Sequence, residues 1–237
     1  MASVAAGYLP ILLFLGFALA LSAAFVVLKT PDMPSVLFES GYISNPEEAA
    51  MRASPEGREV FATTTARAIQ GSNTIEGYTV SDEDAVAAVD GEPPLTADEA
   101  TWLEILAYRR VLTYVLNVAT EPGFVIDEAV LRSMHFMLLD HDLSKTPGRY
   151  RTKEIFVRDD KRGVNVYAGP DGDLVPDLMR TLSESLSTPT TDDPLVRGAM
   201  AHLTLVMIHP FRDGNGRMAR ALQTMVLAQD QVVEPTF

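Results

Sequence analysis

The run His209-Pro210-Phe211-Arg212-Asp213-Gly214-Asn215-Gly216-Arg217-Met218-Ala219-Arg220 constrains this chain more than any other stretch, because a short loop in it joins two apolar helical patterns. Upstream, Pro194, Val196, Met200, Leu203 and Val206 lead directly into His209; downstream, Met218, Ala221, Leu222 and Met225 keep helical spacing. The run therefore belongs at the junction of two buried helices, the second aiming its N-terminus at the loop. Gly214 and Gly216 can take backbone angles that other residues avoid, which lets the main-chain N–H groups around Asn215 turn together toward an oxyanion. The helix end adds its positive pole. Arg217 and Arg220, three apart, oppose that pole and cost stability unless an anion is near. His209, with an ordinary pKa near ~6.5, is mostly neutral at neutral pH and can accept a proton from an attacking hydroxyl. Asp213 is a hard oxygen ligand suited to holding Mg²⁺ against phosphates. His135, His141 and His202 stand alone and read as structural.

The remaining pattern is mainly helical. Ser81 precedes Asp84, and Thr96 precedes Glu99, at capping-box spacing; Asp127 stands ahead of an apolar pattern from Ala129 to Leu139. Each is expected to open a helix. From Thr96 through Trp102, Ile105, Leu106, Arg109, Leu112, Val115 and Leu116 the spacing faces a core, with Trp102 part of it. Pro176 to Leu186 forms another helix. Between them, Glu154–Val157 and Val164–Tyr167 flank Arg158–Gly163, a hairpin signal in a helical chain.

The N-terminus has no charged side chain before Lys29. Pro10 to Leu28 would span roughly 28 Å as a helix, close to a bilayer core. Residues 1–29 are therefore expected to be a single-pass transmembrane anchor, in contact with lipid over residues 8–28, with Tyr8 and Lys29 at the interfaces; a cleaved signal peptide and a buried core helix are the rival readings. The Lys29 charge places the remainder on the cytoplasmic side. Residues 30–55, with several prolines, read as a linker, and the folded domain as residues 56–237. A net charge of -13 argues against nucleic acid as a partner. The absence of cysteine removes thiolate chemistry.

At every fixed position, residues 209–220 match the Fic signature His-x-Phe-x-Asp/Glu-Gly-Asn-Gly-Arg-x-x-Arg, and roughly residues 56–237 resemble the Fic (Fido) family. The resemblance implies a mainly α, Fic-type helical domain with a β-hairpin flap at about 153–168, and transfer of AMP from ATP to Ser, Thr or Tyr hydroxyls of a protein target. It implies His209 as general base, Phe211 as core anchor and Asp213 as Mg²⁺ ligand. Gly214, Asn215 and Gly216 would form the α-phosphate anion hole, and Arg217 and Arg220 the outer phosphate clamps. The flap would align the target segment by strand addition. Upstream, Ser72-Asn73-Thr74-Ile75-Glu76-Gly77 matches the inhibitory Ser/Thr-x-x-x-Glu-Gly pattern. In that subclass a helix at about 58–77 sets Glu76 against Arg220 and blocks the seat of the γ-phosphate. The alternatives are removal of AMP, with Glu76 positioning a water, or a membrane-tethered Fic fold that binds nucleotide or partner without turnover. A homo-oligomer is left open. Residues 1–43, through Phe38-Glu39-Ser40-Gly41, also resemble the first helix of a small respiratory-complex subunit, which points to a fusion or a misjoined frame.

Overall fold

Pro at a first helical position, carboxylate caps and buried stripes recur along the chain, and the elements follow from them. The computed structural model describes residues 55–159 and 163–232. The expected anchor and the expected linker up to residue 54 lie outside the described residues. Within them stand α1 (Pro55–Ile75), α2 (Asp82–Asp90), α3 (Glu99–Val118), α4 (Glu128–Leu139), β1 (Phe156–Asp159), β2 (Val164–Ala168), α5 (Val175–Ser187), α6 (Pro194–Ile208) and α7 (Asn215–Gln229). No helix among the described residues is long and apolar enough to cross a membrane.

Helix α7 is the centre of the core. Met218, Ala219, Ala221, Leu222, Met225 and Val226 are all buried, so it is covered on most sides. It packs against α6, α3, α4 and α1. These partners contribute Leu205 and Ile208 from α6, Val111 and Val115 from α3, and Leu138 and Leu139 from α4. Trp102 packs half-buried at the core's edge.

Two of the three expected caps form. Ser81 accepts from the Asp84 N–H at 3.0 Å, and Asp127 accepts from the Val130 N–H at 2.8 Å. The third is displaced: Asp98 caps α3, accepting from the Thr101 N–H at 2.7 Å. Thr96 is held in the preceding loop, because its N–H donates to Asp84 Oδ1 at 3.0 Å and its hydroxyl donates to Asp84 Oδ2. The Leu95 N–H also donates to Asp84 Oδ1, at 2.6 Å. Asp84 thus staples the start of α2 to the approach to α3.

β1 and β2 pair antiparallel, with a register shift between Val157 and Arg158. β1 starts two residues later than the pattern predicts, since Ile155 bonds outside the strand, its carbonyl accepting from the Gly169 N–H at 3.0 Å. A two-stranded hairpin is marginal alone. Here the Tyr167 hydroxyl donates to the Met207 carbonyl at 2.6 Å and fixes the hairpin to the end of α6.

The Asp84 staple has a pH signature. Burial pushes its carboxyl up, but the bonds from Thr96, Leu95 and Ser81 outweigh this and bring it down from 3.8 to about 2. A depressed carboxylate contributes stability above its unfolded value and loses it as pH falls through the folded one. Asp84→Asn is therefore expected to cost roughly 1–3 kcal/mol at neutral pH. Urea titrations should show that gap closing between about pH 4 and pH 2; a gap of equal size at both ends would contradict the assignment.

Candidate active site

Helix α6 ends on a strained residue. His209 has φ 50° and ψ 58°, a left-handed conformation uncommon outside glycine and costly without support from its surroundings. Its N–H donates to the Leu205 carbonyl at 2.9 Å, and its own carbonyl accepts from Arg151 Nε at 2.7 Å. The side chain of Arg151, 7% exposed, also donates to the carbonyls of Ile208, Pro170 and Lys153, while its backbone N–H donates to Pro210. One guanidinium therefore ties the strained histidine to the segments that carry the hairpin. The His209 Nδ1 lies 3.2 Å from the Val206 carbonyl, which can only accept, so Nδ1 carries the proton and Nε2 keeps its lone pair. Burial lowers the pKa of this imidazole from 6.5, leaving it neutral at pH 7.

The loop after His209 is closed on itself. The buried Asn215 accepts from the Phe211 N–H and donates to the Phe211 carbonyl, both at 2.9 Å. Phe211 is fully buried and stacks on His135, with ring centres 3.7 Å apart. His135 Nδ1 accepts from the Gly148 N–H at 2.8 Å, so Nε2 donates to the Asp213 carbonyl at 3.1 Å. Burial pushes its pKa down to about 4, and it is a neutral brace. His202 is likewise engaged, through Gln223 at 2.9 Å.

Gly214 adopts φ 74° and starts α7 without a side-chain cap, so the first N–H groups of that helix have no acceptor from the cap residue. Gly216 differs from expectation: among the glycines of the loop only Gly214 has positive φ, and Gly216 is ordinary helix. Its role is space. A Cβ there would lie 2.5 Å from Glu76 Oε1. The Glu76 carboxylate thus rests on the first turn of α7, where a helix favours an anion.

Arg220 reaches the same carboxylate, donating to Glu76 Oε1 at 2.6 Å and to Ser72 Oγ at 2.8 Å. Gly77, with φ 90°, turns the chain sharply after Glu76. Arg217 is held by a different carboxylate. It is 1% exposed and pairs with Glu104 of α3, its guanidinium 5.8 Å above the Tyr78 ring. Its Nε is buried without a partner. The two arginines expected to share an open face are thus divided between carboxylates from α1 and α3.

Asp213 accepts from the Gly214 N–H at 2.6 Å and pairs with Lys145 at 2.8 Å. Burial raises its pKa, but Lys145 and that N–H outweigh burial and keep it below 3.8. The carboxylate is ionised and 40% exposed, and it stands at the start of α7, where it accepts from the Gly214 N–H. One hard, ionised ligand beside an anion-favouring helix end fits Mg²⁺, which typically takes one or two carboxylates and completes its shell with phosphates and water. Among the described residues no group of three His, Asp or Glu could hold a metal without such help.

Glu104, Lys145, Arg151 and Tyr78 carry much of this geometry and were not singled out from sequence. A signal existed for Glu104: it falls between Thr101, Ile105 and Tyr108, on the core-facing stripe of α3, where a charge demands a partner. Lys145 closes a single 3-10 turn, Leu143–Lys145, and Arg151 lies in irregular chain; neither position offered one.

Residues 125–227 match the model of the Fic/DOC family. A protein adenylyltransferase Fic from Nematostella vectensis is 29% identical over 164 residues, covering 67% of this chain and 36% of that protein. One from Drosophila willistoni is 31% identical over 161 residues, covering 67% of this chain and 30% of that protein. The chain thus spans about a third of the length of these curated relatives. A Fic family protein from Desulfovibrio desulfuricans superposes with a TM-score of 0.63 at 30% identity, over 84% of this chain and 57% of its own. A Fic domain containing signaling protein from Bacteroides thetaiotaomicron shares the fold, with a TM-score of 0.64 at 24% identity over 73% of this chain and 64% of its own. A second model, N-acetylmuramoyl-L-alanine amidase, matches residues 18–71. That span overlaps the stretch read as an anchor and linker, and ends before Ser72, ahead of every residue of the site.

The Arg151 hub has a direct test. Arg151→Ala leaves several carbonyls short of a donor and is expected to cost roughly 2–4 kcal/mol. Denaturant midpoints measure it; a loss under about 0.5 kcal/mol, the ordinary surface range, would contradict the hub.

Proposed function

We propose that this chain, which carries a Fic/DOC-family domain, is a protein adenylyltransferase held in check by Glu76. The observation that carries the reading is the neutral His209, with Nε2 free to accept, on a loop whose next helix opens with uncapped N–H groups. A target Ser, Thr or Tyr hydroxyl gives its proton to Nε2 while its oxygen bonds to the α-phosphorus of ATP. The bond from that phosphorus to the bridging oxygen breaks, and pyrophosphate leaves. Gly214, Asn215 and Gly216 hold the α-phosphate by main-chain N–H groups, and Arg217 and Arg220 hold the outer phosphates. Asp213 would hold Mg²⁺, which supplies charge neutralisation on the phosphates when bound. The hairpin offers its edge to the target segment by strand addition. The named activity of the curated relatives supports the same reaction.

In the resting arrangement the Glu76 carboxylate occupies an anion's place and satisfies Arg220. Glu76→Gly is expected to raise AMP incorporation from labelled ATP into lysate proteins by roughly tenfold or more, the worth of a charge-assisted bond. Adding His209→Ala should remove that labelling, with a loss of ~10² to 10⁴. Because burial lowers the His209 pKa, the rate should rise with pH through a value below 6.5 and level off by neutrality. Equal labelling by wild type and Glu76→Gly would refute the check; full labelling by the alanine variant would refute the base.

For residues 1–29 the apolar run supports a single-pass anchor with the catalytic domain on the cytoplasmic side. The amidase-model match supports instead a segment shared with that other family. Alkaline carbonate extraction separates them: retention in the membrane pellet is expected of an anchor, and release into the supernatant removes it.

A further inference from the structure

Arg217 is nearly sealed from solvent beside the positive end of its own helix, so something other than water must orient it. Glu104, 113 positions away in sequence and 4% exposed, does this. Its Oε2 takes the Arg217 guanidinium. Its Oε1 accepts from the Tyr78 hydroxyl at 2.7 Å and His141 Nε2 at 3.2 Å, with Lys145 Nζ at 3.5 Å. Such convergence leaves the carboxylate no freedom to swing. Lys145 is shared, standing 2.8 Å from Asp213. Glu104 therefore keeps a counter-charge on Lys145 even when Asp213 is taken by a cation.

From this convergence we infer that Glu104 is the positioning residue of the phosphate site, aiming Arg217 through a buried ion pair. The inference rests on the nucleotide-binding reading above and adds a residue to it. Glu104 itself touches no phosphate. The pair fixes one oxygen of Glu104 and one terminal nitrogen of Arg217, and leaves the buried Nε–H of Arg217 without a protein acceptor. A buried donor without a partner is costly, so that Nε–H is a further group able to meet an anion oxygen at the start of α7. Neutralising Glu104 while keeping its shape loosens that aim. It also leaves the arginine's charge uncompensated, which lowers stability as well as affinity.

The test uses the full chain carrying Glu76→Gly, with ATP affinity read by calorimetry, which needs no turnover. Adding Glu104→Gln is expected to weaken ATP binding by roughly tenfold or more. In an Arg217→Ala background the same change should add less than about twofold, because coupled residues are not additive. Glu104→Asp keeps the charge and is expected to recover part of the loss, and circular dichroism melts report whether each variant is folded. Unchanged affinity in Glu104→Gln overturns the inference, as does an undiminished effect in the Arg217→Ala background or an aspartate no better than glutamine. If the Glu76→Gly parent binds no ATP, the nucleotide reading itself falls and takes the inference with it. If the parent binds and Glu104→Gln matches it, only the role of Glu104 falls.

Discussion

Two arginines at the positive end of one helix set the terms for everything around them. Arg217 and Arg220 lie within the first turns of α7, where like charge and dipole repel. Each is given a carboxylate from a different helix: Glu104 from α3 for the buried Arg217, and Glu76 at the end of α1 for the partly exposed Arg220. Those demands require α1 and α3 to pack against α7, as they do. They also bear on Gly216, since a side chain there would have to displace the Glu76 carboxylate from its place on α7. The two pairs differ in kind. Arg217–Glu104 is sealed, so breaking it strands a charge; Arg220–Glu76 is reached by solvent, screened and exchangeable. The first suits a fixed support and the second a switch.

Strain at His209 is the second organising element. A left-handed histidine at the end of α6 sets its Nδ1 against the Val206 carbonyl and leaves Nε2 as the acceptor, and such a backbone is held by its neighbours. Arg151 supplies that determination from outside the helices, while Asn215 closes the loop and the Phe211–His135 stack anchors it in the core. His209, the turn from Gly214 to Gly216 and Asp213 are therefore held by rigid elements on both sides. The hairpin, tied to the same helix end by Tyr167, shares that frame.

Much of this was legible in the chain. Buried stripes with three-and-four spacing located α3 to α7, because a helix that must hide one face repeats it in sequence. The twelve residues from His209 to Arg220 named the loop, since glycine, asparagine and paired arginines each answer a separate physical need. Short-range rules misread Thr96, because its hydroxyl and N–H satisfy Asp84 twelve residues away, and a cap cannot serve both. They also misread Gly216, whose reason for lacking a side chain lies on another helix. Lys145 and Arg151 matter through contacts that no local pattern records, and for Glu104 the buried stripe of α3 signals the need for a partner without naming Arg217, 113 positions away. The apolar run before Lys29 reads as a lipid span from hydropathy, while the amidase-model match covers residues 18–71 and extends from that run into α1.

The central claim is that Glu76 holds a phosphate's seat by holding Arg220. Isotope-labelled arginine side chains, followed by nuclear magnetic resonance during titration with ATP and Mg²⁺, test it at the guanidinium itself, with Arg220→Lys to assign the signal. If the carboxylate holds the seat, the Arg220 Nε–H resonance moves in Glu76→Gly at ATP concentrations that leave the wild-type signal in place. The same movement at the same concentration in both proteins would contradict it.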